Sequence, residues 1–286
     1  MWILFAFGAA LFAGLTSILA KCGIKNVDSN VATALRTIVI LIFSWIMVFI
    51  SGCHNLIFEI SPKTLIFLIL SGIATGASWL CYFKALQIGD INKITPIDKS
   101  STILTMLMAF ILLGEEITLI KGVSMILIGI GTYLMIGRKE NSHVNNKNNA
   151  WLIYALGSAI FASLTSILGK VGIENVDSTL GTAIRTIVVL IMAWIVVFVT
   201  QKQNTIKDID RNNWIFLILS GIATGGSWLC YYKALQTGPA SVVVPIDKLS
   251  ILVTIAFSYI VFKEKLNKKS TLGLVLIVVG TLALLF

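Results

Sequence analysis

Long apolar runs alternate with short polar ones along the whole chain. Ten runs stand out, at about 2–20, 30–51, 64–87, 94–113, 119–137, 151–169, 179–200, 213–236, 243–262 and 271–286. Crossing about 30 Å of hydrocarbon takes roughly 20 helical residues, which is the length of most of these runs. None alternates apolar and polar residues as the roughly 10-residue strands of a membrane barrel do. In hydrocarbon a segment must satisfy its own backbone N–H and C=O groups, so each run predicts an α-helix. The first run has no basic leader and no small-residue cleavage site before Lys21, and a near-copy recurs at Trp151. It reads as a membrane helix and not as a signal peptide.

The runs fall into two sets of five. Sliding the chain by 149 residues puts Trp2 on Trp151, Arg36 on Arg185, Trp79 on Trp228 and Asp98 on Asp247, with no gap. Over Phe67–Gly89 and Phe216–Gly238, 20 of 23 residues match. Five is odd, so the second set enters the membrane from the opposite side to the first. The pattern predicts an all-α integral membrane protein of ten transmembrane helices as two inverted five-helix repeats. Residues 1–137 form the first repeat, 138–150 a hydrophilic linker rich in Asn, and 151–286 the second repeat.

Charge changes this picture by giving it a direction. The chain is 57% hydrophobic and only 12% charged, whereas soluble domains carry about a quarter charged residues. Its net charge of +9 is spread over short loops and forms no single patch for nucleic acid. The loops after runs 1, 3, 5, 7 and 9 hold 13 Lys and Arg residues, and the opposite loops hold three, Lys63, Lys121 and Lys170. Basic loops stay in the cytoplasm, which places both termini outside a cell membrane. The copies diverge as inversion requires: Lys25 becomes Glu174, Lys93 becomes Val242, Gly114 becomes Lys263 and Glu116 becomes Lys265. Glu115 and Glu264 read as solvated loop charges.

Within or at the edge of the apolar runs lie Arg36, Lys84, Asp98, Lys99 and their copies Arg185, Lys233, Asp247, Lys248. Ionisable groups there are costly and face a partner or a water-filled cavity. The first four fall toward one membrane face and their copies toward the other. This supplies two gates: Asp98 pairing with Arg36 or Lys84, and Asp247 with Arg185 or Lys233, with Lys99 and Lys248 beside them. Thr95-Pro96-Ile97-Asp98 also fits a simple helix start, with Pro at the first position and Asp facing the free N–H groups. Val244-Pro245-Ile246-Asp247 fits the same reading without a hydroxyl cap.

A second constellation combines small and aromatic residues. Gly72 and Gly76, like Gly221 and Gly225, form a small-xxx-small face for close helix approach. Ser78 and Trp79, with Ser227 and Trp228, sit near mid-membrane, where a ring can floor a pocket or hold a cation. Tyr82 and Tyr231 lie closer to the mouths, and ordinary core packing explains the same aromatic positions. Ser124 with Gly131, and Gly273 with Gly280, have spacing seven and read as a helix-packing face.

Asp28-Ser-Asn-Val-Ala-Thr-Ala-Leu-Arg36, Gly76-Ala-Ser-Trp-Leu-Cys-Tyr-Phe-Lys-Ala-Leu-Gln-Ile-Gly89, Pro96-Ile-Asp-Lys-Ser100 and Leu113-Gly-Glu115 resemble the EamA family of the drug/metabolite transporter superfamily. The resemblance covers nearly the whole chain, once per half. It implies two inverted five-helix repeats around a central cavity lined by helices 1, 3, 4, 6, 8 and 9. Half-length relatives would make this chain look like a fused duplicate.

The function expected is secondary transport of a small polar metabolite, with the excess of membrane cations favouring an amino acid or other carboxylate. A choline-like cation or a drug held by Trp79 and Trp228 is the alternative substrate. A membrane scaffold or lipid-flipping subunit is the alternative class. No ATP-binding motif is present, so a gradient must drive transport, with protons as a coupling ion through Asp98 or Asp247. The cysteines Cys22, Cys53, Cys81 and Cys230 have no CxxC spacing, and His54 and His143 lie in loops. No metal, cofactor or enzymatic constellation is expected.

Overall fold

The computed structural model describes residues 1–23, 27–88, 94, 97–135, 150–262 and 267–286. Among these residues there is no strand. The helices are α1 (Trp2–Gly23), α2 (Ser29–Ile50), α3 (Pro62–Ile88), α4 (Ser101–Leu112), α5 (Leu119–Met135), α6 (Ala150–Gly172), α7 (Ser178–Val199), α8 (Arg211–Thr237), α9 (Ala240–Lys248), α10 (Ser250–Phe262) and α11 (Lys268–Ala283). Seven described helical segments are long and apolar enough to cross a membrane, and α5 is a shorter apolar helix. The linker expected at 138–150 lies, apart from Ala150, outside the described residues, as do Thr95, Pro96 and Glu264.

Several helix boundaries follow from local chemistry. Asp28 accepts hydrogen bonds from the N–H groups of Asn30 and Val31 at the start of α2. Its copy Asp177 does the same for Thr179 and Leu180 at the start of α7. Each satisfies donors that a helix leaves unpaired in its first turn. Pro62 begins α3, where a missing N–H costs nothing, and Ser61 Oγ caps the Thr64 N–H at 3.1 Å. At the end of α4, Gly114 adopts φ +66°, a left-handed turn that sends Glu115 N–H back to Ala109 O at 3.3 Å.

The ninth apolar run departs from expectation. It starts at Ala240, not 243, and breaks at Leu249 into α9 and α10. Pro245 lies inside α9, so Asp247 is near the helix end and does not cap its start. Pro239, which precedes α9, contributes no side-chain cap. The carboxylate of Glu115 fills that role instead. Its two oxygens accept from Ala240 N–H at 2.6 Å and Ser241 N–H at 3.0 Å. Lys170 approaches the same carboxylate at 3.9 Å and donates to Gly238 O. Glu115 is therefore a bonded tie between halves and not a solvated loop charge.

The halves interleave. α1 packs along α8, α3 along α6, α2 against α7 and α5 against α11. Lipid tails are as apolar as leucine, so these contacts rest on close packing and buried hydrogen bonds. A Cβ on Gly72 would stand 2.7 Å from Val188 Cβ, and one on Gly221 2.7 Å from Val39 Cβ. The small faces of α3 and α8 thus seat against α7 and α2. Between α5 and α11 a Cβ on Gly131 would stand 2.6 Å from Gly273 O, and the converse holds at the same distance.

Hydrogen bonds repeat the 149-residue offset across the same seams. Ser71 Oγ donates to Thr165 O and Ser220 Oγ to Thr16 O. Ser78 Oγ donates to Ser158 O at 3.0 Å, and Ser227 Oγ to Ala9 O at 3.0 Å. Trp2 packs at Gly238, and Leu284 joins the buried cluster that holds Ala240 and Ile173. Both chain ends therefore lie at one face, called the terminal face below.

Candidate functional site

Between the interleaved helices lies a cavity of about 420 Å³, and beside it a smaller one of about 220 Å³. Trp79, Trp228 and Thr224 line both. The two tryptophans, related by the repeat, thus form a shared wall, with Ser78 and Ser227 on the larger cavity.

Arg185 lines the larger cavity and is only 2% exposed. Its Nε donates to Ser71 Oγ at 2.9 Å and its Nη2 to Thr75 Oγ1 at 2.6 Å. Its guanidinium carbon lies 5.2 Å from the ring centroid of Trp228 and 5.0 Å from that of Tyr232. Its Nη1 makes no hydrogen bond among the described residues. Arg36 lines the smaller cavity, donates from Nη2 to Thr224 Oγ1 at 2.7 Å, and leaves Nε without a partner among the described residues. Thr224 and Thr75 are themselves repeat copies, and each stands beside a second copied hydroxyl, Thr16 at 3.2 Å and Thr165 at 3.3 Å. Each arginine is thus positioned by hydroxyls of the other half.

The carboxylates meet a hydroxyl and a lysine. Asp98 accepts from Ser158 Oγ at 2.9 Å. Asp247, on the cavity wall, has Lys248 Nζ at 3.8 Å. Among the described residues neither forms an ion pair with the arginines, because the arginines point across the interface to hydroxyls. Position 158 is serine where its copy, position 9, is alanine, so Asp247 lacks the hydroxyl that serves Asp98.

The remaining candidates are scattered. Lys84, Lys99 and Lys248 are all exposed, and Lys248 also lines the cavity. Lys233 donates to Gln236 Oε1 at 3.2 Å, outside the cavity. Tyr231 lines the cavity and donates to Ser166 Oγ at 2.9 Å, but Tyr82 packs with Ala85, Ile94 and Ala155. The wall is also uneven. Ser17 and Ser166, repeat copies, both line it, yet Ser17 is exposed and Ser166 buried.

Sequence reasoning passed over the residues that hold the arginines: Ser71, Thr75, Thr224 and Tyr232. A signal for three of them was available. Ser71, Thr75 and their copies Ser220, Thr224 recur as hydroxyls inside apolar runs, four apart, on one helical face. Tyr232 was visible only as a mismatch with Phe83.

The profile of the EamA-like transporter family matches residues 1–137 and again residues 149–286. An uncharacterized transporter in the cobO 3′ region of a Sinorhizobium species is 42% identical over 137 residues, which are 48% of this chain and 97% of that protein. An uncharacterized transporter of Archaeoglobus fulgidus is 20% identical over 283 residues, 99% of this chain and 97% of that one. A solved crystal structure shares the fold with a TM-score of 0.80 at 15% identity, covering 99% of this chain and 97% of that chain. The Sinorhizobium protein is about as long as one half of this chain. With membrane-length apolar helices around a cavity lined by hydroxyls, tryptophans and Arg185, and the family profile matched once by each half, the chain belongs to the EamA-like transporter family and is a multi-pass membrane transport protein.

Proposed function

We propose that this protein is a secondary transporter that moves a small polar metabolite bearing a carboxylate, such as an amino acid, by alternating access between two inverted five-helix halves. The observation that carries the substrate class is Arg185: a cation 2% exposed, on the cavity wall, with no acidic partner among the described residues. Hydroxyls and ring faces orient it without neutralising it, so an anion entering the cavity supplies the missing charge. Asp247, without the hydroxyl that serves its copy, is placed to meet an ammonium group or to carry a coupling proton. Arg185 already lies over Trp228, which weighs against a quaternary ammonium ligand on that ring.

The repeated contacts α1 on α8 and α3 on α6 support the inverted arrangement. The burial of Ser166 against the exposure of Ser17 supports a cavity sealed toward the terminal face and open toward the other. By the charge count, that other face is cytoplasmic.

A thermal-shift screen of purified protein tests the substrate class. One panel holds amino acids and organic acids, and the other choline-like cations. Stabilisation by carboxylates that disappears in Arg185→Ala is the expected result. Stabilisation by cations alone, lost in Trp79→Ala or Trp228→Ala, would overturn it.

A further inference from the structure

Four groups of the terminal face meet at one point. Glu115 follows α4 in the first half, Lys170 ends α6, and Gly238 and Ala240 lead into α9 in the second half. These elements must part for the cavity to open on that side. We propose that Glu115 is the latch of the terminal-face gate, holding the first turn of α9 against the ends of α4 and α6 while that face is closed. The inference rests on the alternating-access reading above.

Three features fit a latch better than a permanent brace. First, the bonds of Glu115 to Ala240 and Ser241 cross from one half to the other, so relative movement of the halves breaks them. Second, α9 has no side-chain cap of its own, because Pro239 precedes it. The N–H groups of Ala240 and Ser241 depend on Glu115 when the face is shut. When it opens they meet water, which replaces the carboxylate and makes the break reversible. Third, Gly114 at φ +66° reverses the chain directly before Glu115, fixing the carboxylate at the seam without a long flexible loop. Beside the latch, Gln236 Nε2 ties the ends of α8 and α6 together through Ile173 O at 2.8 Å and Val176 O at 2.7 Å, and on the cavity wall Tyr231 donates to Ser166. The Tyr231–Ser166 bond closes the cavity on the latch side.

The test reads access to the cavity and needs no substrate. In a background with all four cysteines replaced, Ala162→Cys places one thiol on the cavity wall at mid-helix. A membrane-impermeant maleimide is then applied to each face of sealed vesicles. Glu115→Gln should raise labelling from the terminal face by roughly tenfold, the change that follows loss of one charge-assisted hydrogen bond. Lys170→Met, which removes only the 3.9 Å ion pair across the seam, should raise it by about two- to fivefold. Labelling from the opposite face should fall. Lys170→Met keeps the cap on α9 and so serves if Glu115→Gln fails to fold, which the melting curve of each variant decides. If the parent labels from both faces but neither folded variant changes the ratio, the latch is wrong and the transporter reading stands. If the parent never labels from the terminal face under any gradient, the latch and alternating access fail together.

Discussion

Arg185 Nη2 donates to Thr75 Oγ1 at 2.6 Å, joining residues 110 positions apart and in different halves. Its copy Arg36 makes the repeat-related bond to Thr224 at 2.7 Å. The two arginines are not equivalent, however. Arg185 has a second hydroxyl and two rings around it, and the ring of Tyr232 replaces Phe83 of the first half.

This asymmetry separates binding from folding. Thr75 and Ser71 also donate to Ser71 O and Thr165 O, so they keep partners if Arg185 is removed. Arg185→Met should therefore melt close to the parent protein or above it, since an unbalanced buried cation is lost. Carboxylate binding should weaken by at least roughly tenfold, the worth of one charge-assisted hydrogen bond. Calorimetric titration alongside melting curves checks both, and a large loss of stability would make Arg185 a structural residue.

The α5–α11 seam should not tolerate side chains. Gly131→Leu drives carbon into Gly273 O and should destabilise by about 1–3 kcal/mol or more. Gly122→Ala, with nothing within 4 Å of its Cβ, should leave stability unchanged or raise it by up to about 1 kcal/mol. Thermal unfolding in detergent compares the two.

Cys53 lies outside the membrane segments, in a short 3₁₀ turn at Cys53–Glu59. Burial pushes its thiol up, and the Asp177 carboxylate adds to the effect. A raised thiol titrates to thiolate only at higher pH, so alkylation at neutral pH should be slow. Asp177→Asn keeps a capping side chain on α7 while removing the charge. Its alkylation curve should shift to lower pH, and an unchanged curve would show that burial alone sets the reactivity.

The charge count of the loops gives a testable orientation. On the reading that the basic loops after runs 1, 3, 5, 7 and 9 are cytoplasmic, a reporter fused after Phe286 should behave as extracellular. Cytoplasmic behaviour of the fusion would reverse the orientation, and with it the side to which the cavity opens.

The sequence by itself determined most of the helical segments, the ninth run excepted, the twofold internal repeat and the packing glycines. These follow from local quantities: the length of an apolar run, the obligation to bond backbone groups in hydrocarbon, and the absence of a Cβ at fixed spacing. Gly131 and Gly273 were legible as a packing face without knowledge of the partner, and the arginines were legible as candidates because charge in an apolar run is conspicuous.

Tertiary structure alone decided which polar group met which. Glu115 looks like a loop charge until α9 arrives 125 residues later with an uncapped first turn. Asp247 looks like a helix start until five further residues join α9 before Pro245. Arg185 looks like the partner of a carboxylate until α3 brings Ser71 and Thr75 against it. A buried polar group bonds whatever packing brings within about 3 Å, and packing is set by the fit of distant helix faces that no local pattern contains.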